Sequence, residues 1–187
     1  MSHERPTRRE RLGMRLEIAL SNVLFRRYLR SLDLSGDERL LELGCGVGAL
    51  TKHLARLLPR GRITAIDVSV HWSEVARRRL RRRRRVDVLT GDVRVLDLDP
   101  ESFDAALIHF VLHDISAPER REVLEALGHL LVPGGTLYLR EPTGPSHGMP
   151  AGEIRDVLAA TGFEEIRGLE ARSRLAGPMF DARFRKA

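Results

Sequence analysis

Residues 40–51 read Leu40-Leu-Glu-Leu-Gly-Cys-Gly-Val-Gly-Ala-Leu-Thr51, an apolar strand that passes through three glycines directly into a helix. Glycine lets the chain bend sharply and lets a ligand approach the backbone closely. The helix that follows points its free N–H groups at such a ligand. The stretch therefore predicts a nucleotide-binding turn at the end of a buried strand.

The spacing of the glycines narrows the class of nucleotide. Dinucleotide sites favour G-x-G-x-x-G, whereas Gly44, Gly46 and Gly48 form G-x-G-x-G, and Glu42 stands two positions before the first glycine. Cys45, inside the turn, is the only cysteine, which excludes an internal disulfide and multi-cysteine metal chemistry. We interpret Cys45 as a small residue that fits the turn.

Composition limits the organisation of the chain. With 187 residues, 42% of them hydrophobic, it is long enough for one buried core and too short for two full domains. The sequence has neither a membrane-spanning apolar run nor a secretory signal, so we expect a cytoplasmic protein without a membrane span. Glutamine is absent and Asn22 is the only asparagine, which hints at a thermophile.

Short apolar segments alternate with helix-length segments after residue 38. Such alternation predicts a parallel sheet covered by helices on both faces. We expect strands over 39–43, 62–66, 86–90, 103–109 and 135–141, helices over 48–58, 70–83, 117–131 and 151–161, and closing strands over 163–171 and 178–186. Apolar residues at helical spacing between 8 and 32 predict a helix in an N-terminal extension, residues 1–35, ahead of the main domain, residues 36–187.

An acidic residue ends the second predicted strand, Ile63-Thr-Ala-Ile-Asp67. It follows Gly44 by roughly the 20 or so residues expected for a carboxylate that accepts both hydroxyls of a ribose. The alternative is an N-cap for the next helix, but Ser69 is better placed for that. Asp67 is therefore the predicted ribose ligand.

The third strand ends in Leu89-Thr-Gly-Asp92-Val93, and the fourth and fifth segments contain Phe103-Asp104 and Pro133-Gly-Gly135. Together with the glycine turn and the strand-end acid, this ordered set over residues 39–142 resembles Rossmann-like (class I) S-adenosylmethionine (SAM) dependent methyltransferases of the small-molecule type. The resemblance implies a three-layer α/β sandwich. Its mostly parallel, seven-stranded sheet has the order 3-2-1-4-5-7-6, and only the seventh strand is antiparallel.

The resemblance also implies SAM as cofactor, with S-adenosylhomocysteine as product, above the carboxyl ends of strands 1 and 4. Asp92 would accept from the adenine amine and Val93 would lie along the ring, although Gly-Asp pairs are also common turn formers. Glu42 would hold the loop and the methionyl ammonium, to which His109 would offer its carbonyl. The predicted cofactor-binding residues are Glu42, Gly44, Cys45, Gly46, Gly48, Asp67, Val68, Asp92, Val93 and His109.

His113 is the candidate catalytic residue. Phenol O-methyltransferases carry a His-Asp pair at this place, and His113-Asp114 is similar to it. A group that titrates near neutrality can remove the proton of a phenol. A purely structural histidine is the alternative, since this chain lacks the large substrate-binding domain of those enzymes. Glu141 is a second candidate partner for the imidazole, and His147, in a Gly- and Pro-rich loop over 143–152, is either a binding residue or a solvated one.

Other classes within the resemblance fit less well. No Asn/Asp-Pro-Pro-Tyr/Phe motif of amino-methyltransferases follows the fourth strand, and the asparagine ligand of magnesium-dependent catechol enzymes is missing, so we predict no metal. The arginine run over 77–85 suggests RNA binding or, more simply, a solvated surface. We predict a SAM-dependent methyltransferase that modifies an O, N or C atom of a small molecule. The alternatives are an RNA methyltransferase or a non-catalytic SAM-binding partner subunit.

Overall fold

The computed structural model describes residue 25 and residues 28–145, 147–173 and 177–187. The elements follow in this order: β1 (Arg39–Leu43), α1 (Ala49–Leu57), β2 (Arg62–Asp67), α2 (Val70–Leu80), β3 (Val86–Thr90), β4 (Phe103–His109), a 3-10 turn (Leu112–Asp114), α3 (Ala117–Leu130), β5 (Leu131–Gly144), β6 (His147–Gly148), α4 (Ala151–Ala160), β7 (Phe163–Ser173) and β8 (Gly177–Lys186). Most of the predicted helix over 8–32 lies outside the described residues.

The strands form one sheet in the order β3-β2-β1-β4-β5-β8-β7. Strands β1 to β5 pair in parallel, and β8 runs antiparallel to both β5 and β7. The predicted order is confirmed, since β7 and β8 take the places of the sixth and seventh strands. The carboxyl ends of β1, β2, β4 and β5 consequently meet at one edge, where open α/β sheets bind their ligands.

The predicted count of seven strands is short by one. The additional strand, β6, is two residues long and pairs with the end of β5, Thr143 with Gly148 and Gly144 with His147. Gly148 permits this tight return, because a Cβ there would stand 2.5 Å from the Pro142 carbonyl oxygen. Part of the predicted loop over 143–152 is therefore a short hairpin that fixes His147 at the carboxyl edge of the sheet.

The fifth strand also begins earlier than predicted. Helix α3 ends at Leu130, and Leu131 already pairs with Phe103 before the register shifts. A proline disfavours helical conformation in the residue before it, so the helix ends upstream of Pro133. The Pro-Gly-Gly segment lies inside the strand as an irregularity.

Two apolar clusters cover the two faces of the sheet. Alternate residues of β1 point to opposite sides: Leu40 lies in the cluster with α1 and α2, and Leu41 and Leu43 lie in the cluster with α3 and α4. This period of two places Glu42 on the same face as Leu40, towards α1. The three predicted layers are confirmed. Among the described residues, none of the helices is long and apolar enough to cross a bilayer.

Candidate active site

The glycine turn between β1 and α1 is held by the neighbouring strand. The N–H groups of Gly44 and Cys45 both donate to the Ile66 carbonyl, at 2.8 and 2.9 Å, and Gly48 N–H donates to the Cys45 carbonyl at 2.9 Å. All three glycines have positive φ, between 52° and 73°. Residues with a Cβ rarely adopt this conformation, so the backbone itself requires glycine here.

The three glycines differ in what surrounds them. A Cβ on Gly44 would stand 2.3 Å from Val111 Cγ2, and one on Gly48 would stand 2.8 Å from Leu80 Cδ1. A Cβ on Gly46 would meet nothing within 4 Å. Gly44 and Gly48 therefore serve close packing, and Gly46 faces open space. The contact with Val111 also brings the glycine turn against the segment that carries His113.

Asp67, at the end of β2, binds the turn directly. Its Oδ2 accepts from Gly46 N–H at 2.7 Å and its Oδ1 accepts from Ser69 N–H at 2.9 Å. Burial raises the pKa of Asp67 above its ordinary value, and the two backbone donors oppose that rise. Each carboxylate oxygen has further acceptor capacity for a ligand hydroxyl. Ser69, not Asp67, is the N-cap of α2, as predicted.

Glu42 is 2% exposed and lies beneath the glycine turn. Its Oε2 and the Oγ1 of Thr51, in the first turn of α1, have no hydrogen-bond partner among the described residues. Burial raises the pKa of Glu42 to about 8; the neighbouring Thr51 hydroxyl opposes this rise, and the charge of Asp67 adds to it. Asp67 and Ile66 hold the turn through oxygens that accept from its N–H groups, and the roles of Glu42 towards the loop and the ammonium stay predictions. Glu42 instead presents an unsatisfied buried acceptor, which is costly unless a ligand pairs with it.

The Asp92 carboxylate forms an ion pair with Arg94. Its two oxygens accept from the Arg94 guanidinium, at 3.0 Å from Nε and 2.6 Å from the terminal nitrogen, and this pairing lowers the pKa of the Asp92 carboxyl. Arg94 also binds Glu119 and Glu122 of α3. Val93 is buried in the α3/α4 cluster. The adenine-binding roles of Asp92 and Val93 stay predictions, and Arg94 fixes the orientation of the Asp92 carboxylate.

His109, at the end of β4, is surrounded by rings. Its imidazole stacks on Phe110 at 4.4 Å between ring centroids and contacts Phe25 and Tyr28 at 5.5 and 5.3 Å. Burial lowers the pKa of His109 to about 3, and the nearby Arg140 guanidinium adds to the fall. The ring is therefore neutral at neutral pH. Tyr28 is part of the apolar cluster beside α1 and α2, and Phe25 packs against that cluster.

A chain of three side chains crosses the ends of β4 and β5. Glu141, fully buried, accepts from the Val111 and Leu112 N–H groups, both at 2.8 Å, and its Oε2 lies 2.6 Å from His113 Nδ1. His113 Nε2 in turn lies 3.0 Å from Nε2 of His147. The Glu141 hydrogen bond raises the pKa of His113 above its ordinary value, against the effect of burial.

The structure brings most predicted residues to one edge of the sheet. Of the two candidate partners for His113, Glu141 makes the close contact, and the exposed Asp114 stays 3.6 Å from Nε2. Sequence reasoning missed Arg94 and the ion pair of Arg140 with Asp181, whose closest atoms are 2.6 Å apart. No local signal marks that pair, because Arg140 and Asp181 lie on separate strands, β5 and β8, 41 residues apart in sequence.

Comparison with known proteins defines the class. A family model described as a methyltransferase domain matches residues 41–137, and the chain belongs to this family. These are class I SAM-dependent methyltransferases, and SAM is their cofactor. The N-methyltransferase NodS from Bradyrhizobium japonicum, solved with S-adenosylhomocysteine, is 24% identical with a TM-score of 0.68, and the match covers 98% of this chain and 89% of NodS.

Two further similarities concern a curated relative and a solved structure. The ubiquinone/menaquinone biosynthesis C-methyltransferase of Syntrophotalea carbinolica is 29% identical over 128 residues, 68% of this chain and 53% of the relative. The [4+2]-cyclase SpnF has a TM-score of 0.76 at 23% identity, over 87% of this chain and 80% of that one; this likeness concerns the fold alone. The chain spans 25% to 61% of the length of the curated relatives that it matches.

The residues of the glycine turn fit SAM. The unsatisfied oxygens of Glu42 and Thr51 suit the ammonium of the cofactor, and Gly46 leaves room at the turn. Helix α1 begins at Ala49, and its N-cap, Gly48, has no side chain to cap it. The first turn also has no acidic residue, so the positive end of the helix is available to an anionic group.

We expect Gly46→Ala to weaken SAM binding by about tenfold or more, since its methyl group would enter the space left for the ligand. Gly134→Ala is the matched control: Gly134 also has positive φ, 73°, and open surroundings, but lies at the other end of β5. Both variants should lose similar stability, about 1–2 kcal/mol, from the left-handed conformation. Thermal unfolding and calorimetric titration measure the two effects. Equal SAM affinities of the two variants would contradict a cofactor beside Gly46.

Glu42 predicts a pH dependence of binding. A cationic ligand group favours the ionised carboxylate, so the pKa of Glu42 falls from about 8 on binding and a proton is released. SAM affinity should therefore rise between pH 6 and 8, by at most about tenfold per unit. In Glu42→Gln the only remaining pH dependence of SAM affinity should come from the titration of SAM itself. Glu74→Gln, on the exposed face of α2, should show the wild-type pH profile. Identical pH profiles for wild type and Glu42→Gln would exclude this contact.

The Glu42 carboxyl also makes folding stability depend on pH. Whereas SAM affinity should rise with pH, the stability of the cofactor-free protein should fall. The folded-state pKa of Glu42 lies above its ordinary value of 4.5, so the stability associated with its protonated form is complete below pH 4.5 and is lost as the pH rises through 8. Glu42→Gln should therefore raise the melting temperature of the cofactor-free protein at pH 8 more than at pH 5.

Proposed function

We propose that the protein transfers the methyl group of SAM to a small molecule, and that a hydroxyl that must lose its proton is the acceptor that the site fits best. The observation that carries the proposal is the Glu141–His113 pair, 2.6 Å apart, directly beside the glycine turn. Gly44 packs against Val111, whose N–H is itself bound by Glu141. The cofactor-binding turn and the candidate base are thus parts of one rigid edge.

When bound, SAM supplies a methyl group activated by its sulfonium centre. The protein's own residues orient the reactants, an effect worth several kcal/mol of the barrier in well-aligned systems. Glu141 holds the His113 ring through Nδ1, which leaves Nε2 of the neutral ring as the proton acceptor. His113 would take the hydroxyl proton as the oxygen attacks, and proton removal by such a base contributes about 10²–10⁴ in rate.

The relatives support a small acceptor without fixing the methylated atom. One is described as a C-methyltransferase of ubiquinone and menaquinone biosynthesis and a structural neighbour as an N-methyltransferase. We keep oxygen, nitrogen and carbon as candidate atoms and rank a phenolic or quinol hydroxyl first, because of the His113 base. As part of the same proposal, the single cysteine supports a cytoplasmic location, and the lack of glutamine supports a heat-adapted source.

The test is turnover with methyl-labelled SAM against phenols, quinols, amines and RNA, followed by release of S-adenosylhomocysteine. Labelled product with a phenol or quinol is the expected result. Labelling of RNA alone would favour the alternative that uses the arginine run. SAM binding without turnover on any acceptor would favour a non-catalytic partner subunit, or other chemistry on this fold, such as that of the cyclase neighbour.

The arginine run gives the RNA alternative limited support. Arg77 folds back on the sheet and donates to the Val88 carbonyl and the Thr90 hydroxyl, at 3.1 and 2.7 Å. Arg78 forms an ion pair with Glu74 on the same helix, at 3.7 Å. Cations at the end of α2 also suit the helix dipole. These contacts support a structural role for the first arginines of the run.

A further inference from the structure

Three potential metal-binding side chains lie close together at the carboxyl ends of β4 and β5. His113 Nε2 lies 3.0 Å from Nε2 of His147 and 3.6 Å from an oxygen of Asp114. One donor atom from each of the three residues lies within 4.8 Å of the others. His113 and Asp114 come from the 3-10 turn after β4, and His147 comes from the hairpin strand β6. Residues far apart in sequence thus meet through the fold.

We propose that His113, His147 and Asp114 bind a divalent transition-metal ion of the zinc type. In a tetrahedral zinc site, bonds of about 2.0–2.1 Å place neighbouring ligand atoms about 3.3 Å apart. The distance from His113 Nε2 to His147 Nε2, 3.0 Å, is slightly below that value, and its distance to the Asp114 oxygen, 3.6 Å, is slightly above it. A carboxylate oxygen of the exposed Asp114 lies within 4.8 Å of a donor nitrogen of each histidine and supplies the third ligand. Three protein ligands leave the fourth position open, as in catalytic zinc sites.

Glu141 provides the outer support that such a site needs. A metal-bound histidine usually donates its other ring N–H to a carboxylate, which fixes the tautomer and directs the remaining nitrogen to the ion. His113 Nδ1 is 2.6 Å from Glu141 Oε2, and Glu141 is held by two backbone N–H groups. With Nδ1 protonated, His113 Nε2 carries no proton, and its lone pair is available to a metal ion on the side of His147.

The donor atoms decide the class of ion. Imidazole nitrogens suit zinc, copper, nickel and iron, whereas magnesium and calcium prefer oxygen ligands only. Two nitrogens and one carboxylate oxygen therefore select against magnesium. Zn²⁺ binding at this edge differs from the prediction of no metal, which rested on the missing asparagine ligand of magnesium-dependent enzymes. It does not depend on the identity of the methyl acceptor or on SAM binding.

Metal binding and the general-base role of His113 both require its Nε2 atom. The first therefore belongs to the metal-loaded protein and the second to the metal-free protein. In the chelator-treated, metal-free protein, His113 Nε2 can accept a proton from the methyl acceptor. In the loaded protein the lone pair belongs to the ion, and the open fourth position would accept water or an acceptor oxygen, whose pKa a zinc ion lowers.

The test uses the full chain stripped with chelator and titrated with Zn²⁺ in competition with a chromophoric chelator. We expect one equivalent to bind tightly and Mg²⁺ not to compete. His147→Ala and Asp114→Asn should each weaken Zn²⁺ binding, the former by at least about 100-fold, more than the loss of an outer-shell partner costs. His129→Ala, an exposed histidine of α3, is the matched control and should bind as wild type.

Substitution of Co²⁺ adds a readout independent of activity. Intense visible absorption of the loaded protein would report a four-coordinate site with nitrogen ligands, and His147→Ala should lose it while its far-ultraviolet circular dichroism stays unchanged. Failure of the wild-type protein to bind Zn²⁺, or equal binding by wild type and His147→Ala, would overturn the proposal. The two imidazoles would then be joined by a simple N–H···N hydrogen bond.

Discussion

Replacement of Asp67 by alanine should weaken SAM binding by at least about 100-fold. Hydrogen bonds to a charged partner contribute about 1.5–3 kcal/mol each. The loss of two ribose hydroxyl contacts therefore amounts to about 3–6 kcal/mol, and each 1.4 kcal/mol corresponds to a factor of ten in affinity. Calorimetric titration of the purified variant measures the effect directly.

The structure adds a second consequence of the same change. Asp67 accepts from Gly46 N–H at 2.7 Å and from Ser69 N–H at 2.9 Å, so alanine also frees the glycine turn. Asp67→Asn separates the two effects, since its amide oxygen can still accept one of these bonds, and it should lose less affinity than Asp67→Ala. Asp87→Ala, at the exposed position of β3, is the control for loss of a strand carboxylate. If Asp67→Ala binds SAM as tightly as wild type, Asp67 is not a cofactor ligand.

Replacement of His113 by alanine should slow methyl transfer to a hydroxyl acceptor by about 10²–10⁴, the usual contribution of a positioned general base. SAM affinity should change by less than about twofold, because the contacts of His113 run to Glu141 and His147 rather than to the glycine turn. The rates are measured at saturating SAM on chelator-treated protein, so that metal content does not vary between samples. An unchanged rate would make His113 structural.

Glu141→Gln tests the partner of the imidazole. The amide can still accept from Val111 and Leu112 but carries no charge to hold the His113 ring, so kcat should fall while KM for the acceptor changes little. Glu125→Gln removes a carboxylate from an exposed ion pair on α3 and should leave kcat unchanged. A fall in kcat that merely follows lost thermal stability in Glu141→Gln would contradict a positioning role.

The fold was predictable because its signals are local. Apolar runs, prolines and glycines fix where strands and helices begin, and the period of two along β1 separates the sheet faces. Asp67 and the glycine turn could be predicted as a cofactor site because a strand-end acid and closely spaced glycines are typical where a nucleotide lies on such a sheet. The added strand β6 was missed because a two-residue pairing has no period of its own.

The parts of the site that sequence did not reveal depend on long-range contacts. Arg94 pairs with the adjacent Asp92 and also with Glu119 and Glu122 of α3, which are 25 and 28 residues away in sequence. His147 meets His113 only because the β6 hairpin folds back on β5. Neither contact follows from residue type and spacing alone, since both require the packing of separate elements.

The most direct measurement is a calorimetric titration of the full chain with SAM, S-adenosylhomocysteine and NAD in parallel. We expect micromolar binding of the first two and none of NAD, because the turn is G-x-G-x-G with the buried Glu42 carboxyl beneath it. Binding of NAD without SAM or S-adenosylhomocysteine would contradict the assignment of the glycine turn, and the roles proposed for Asp67, Glu42 and His113 would fall with it.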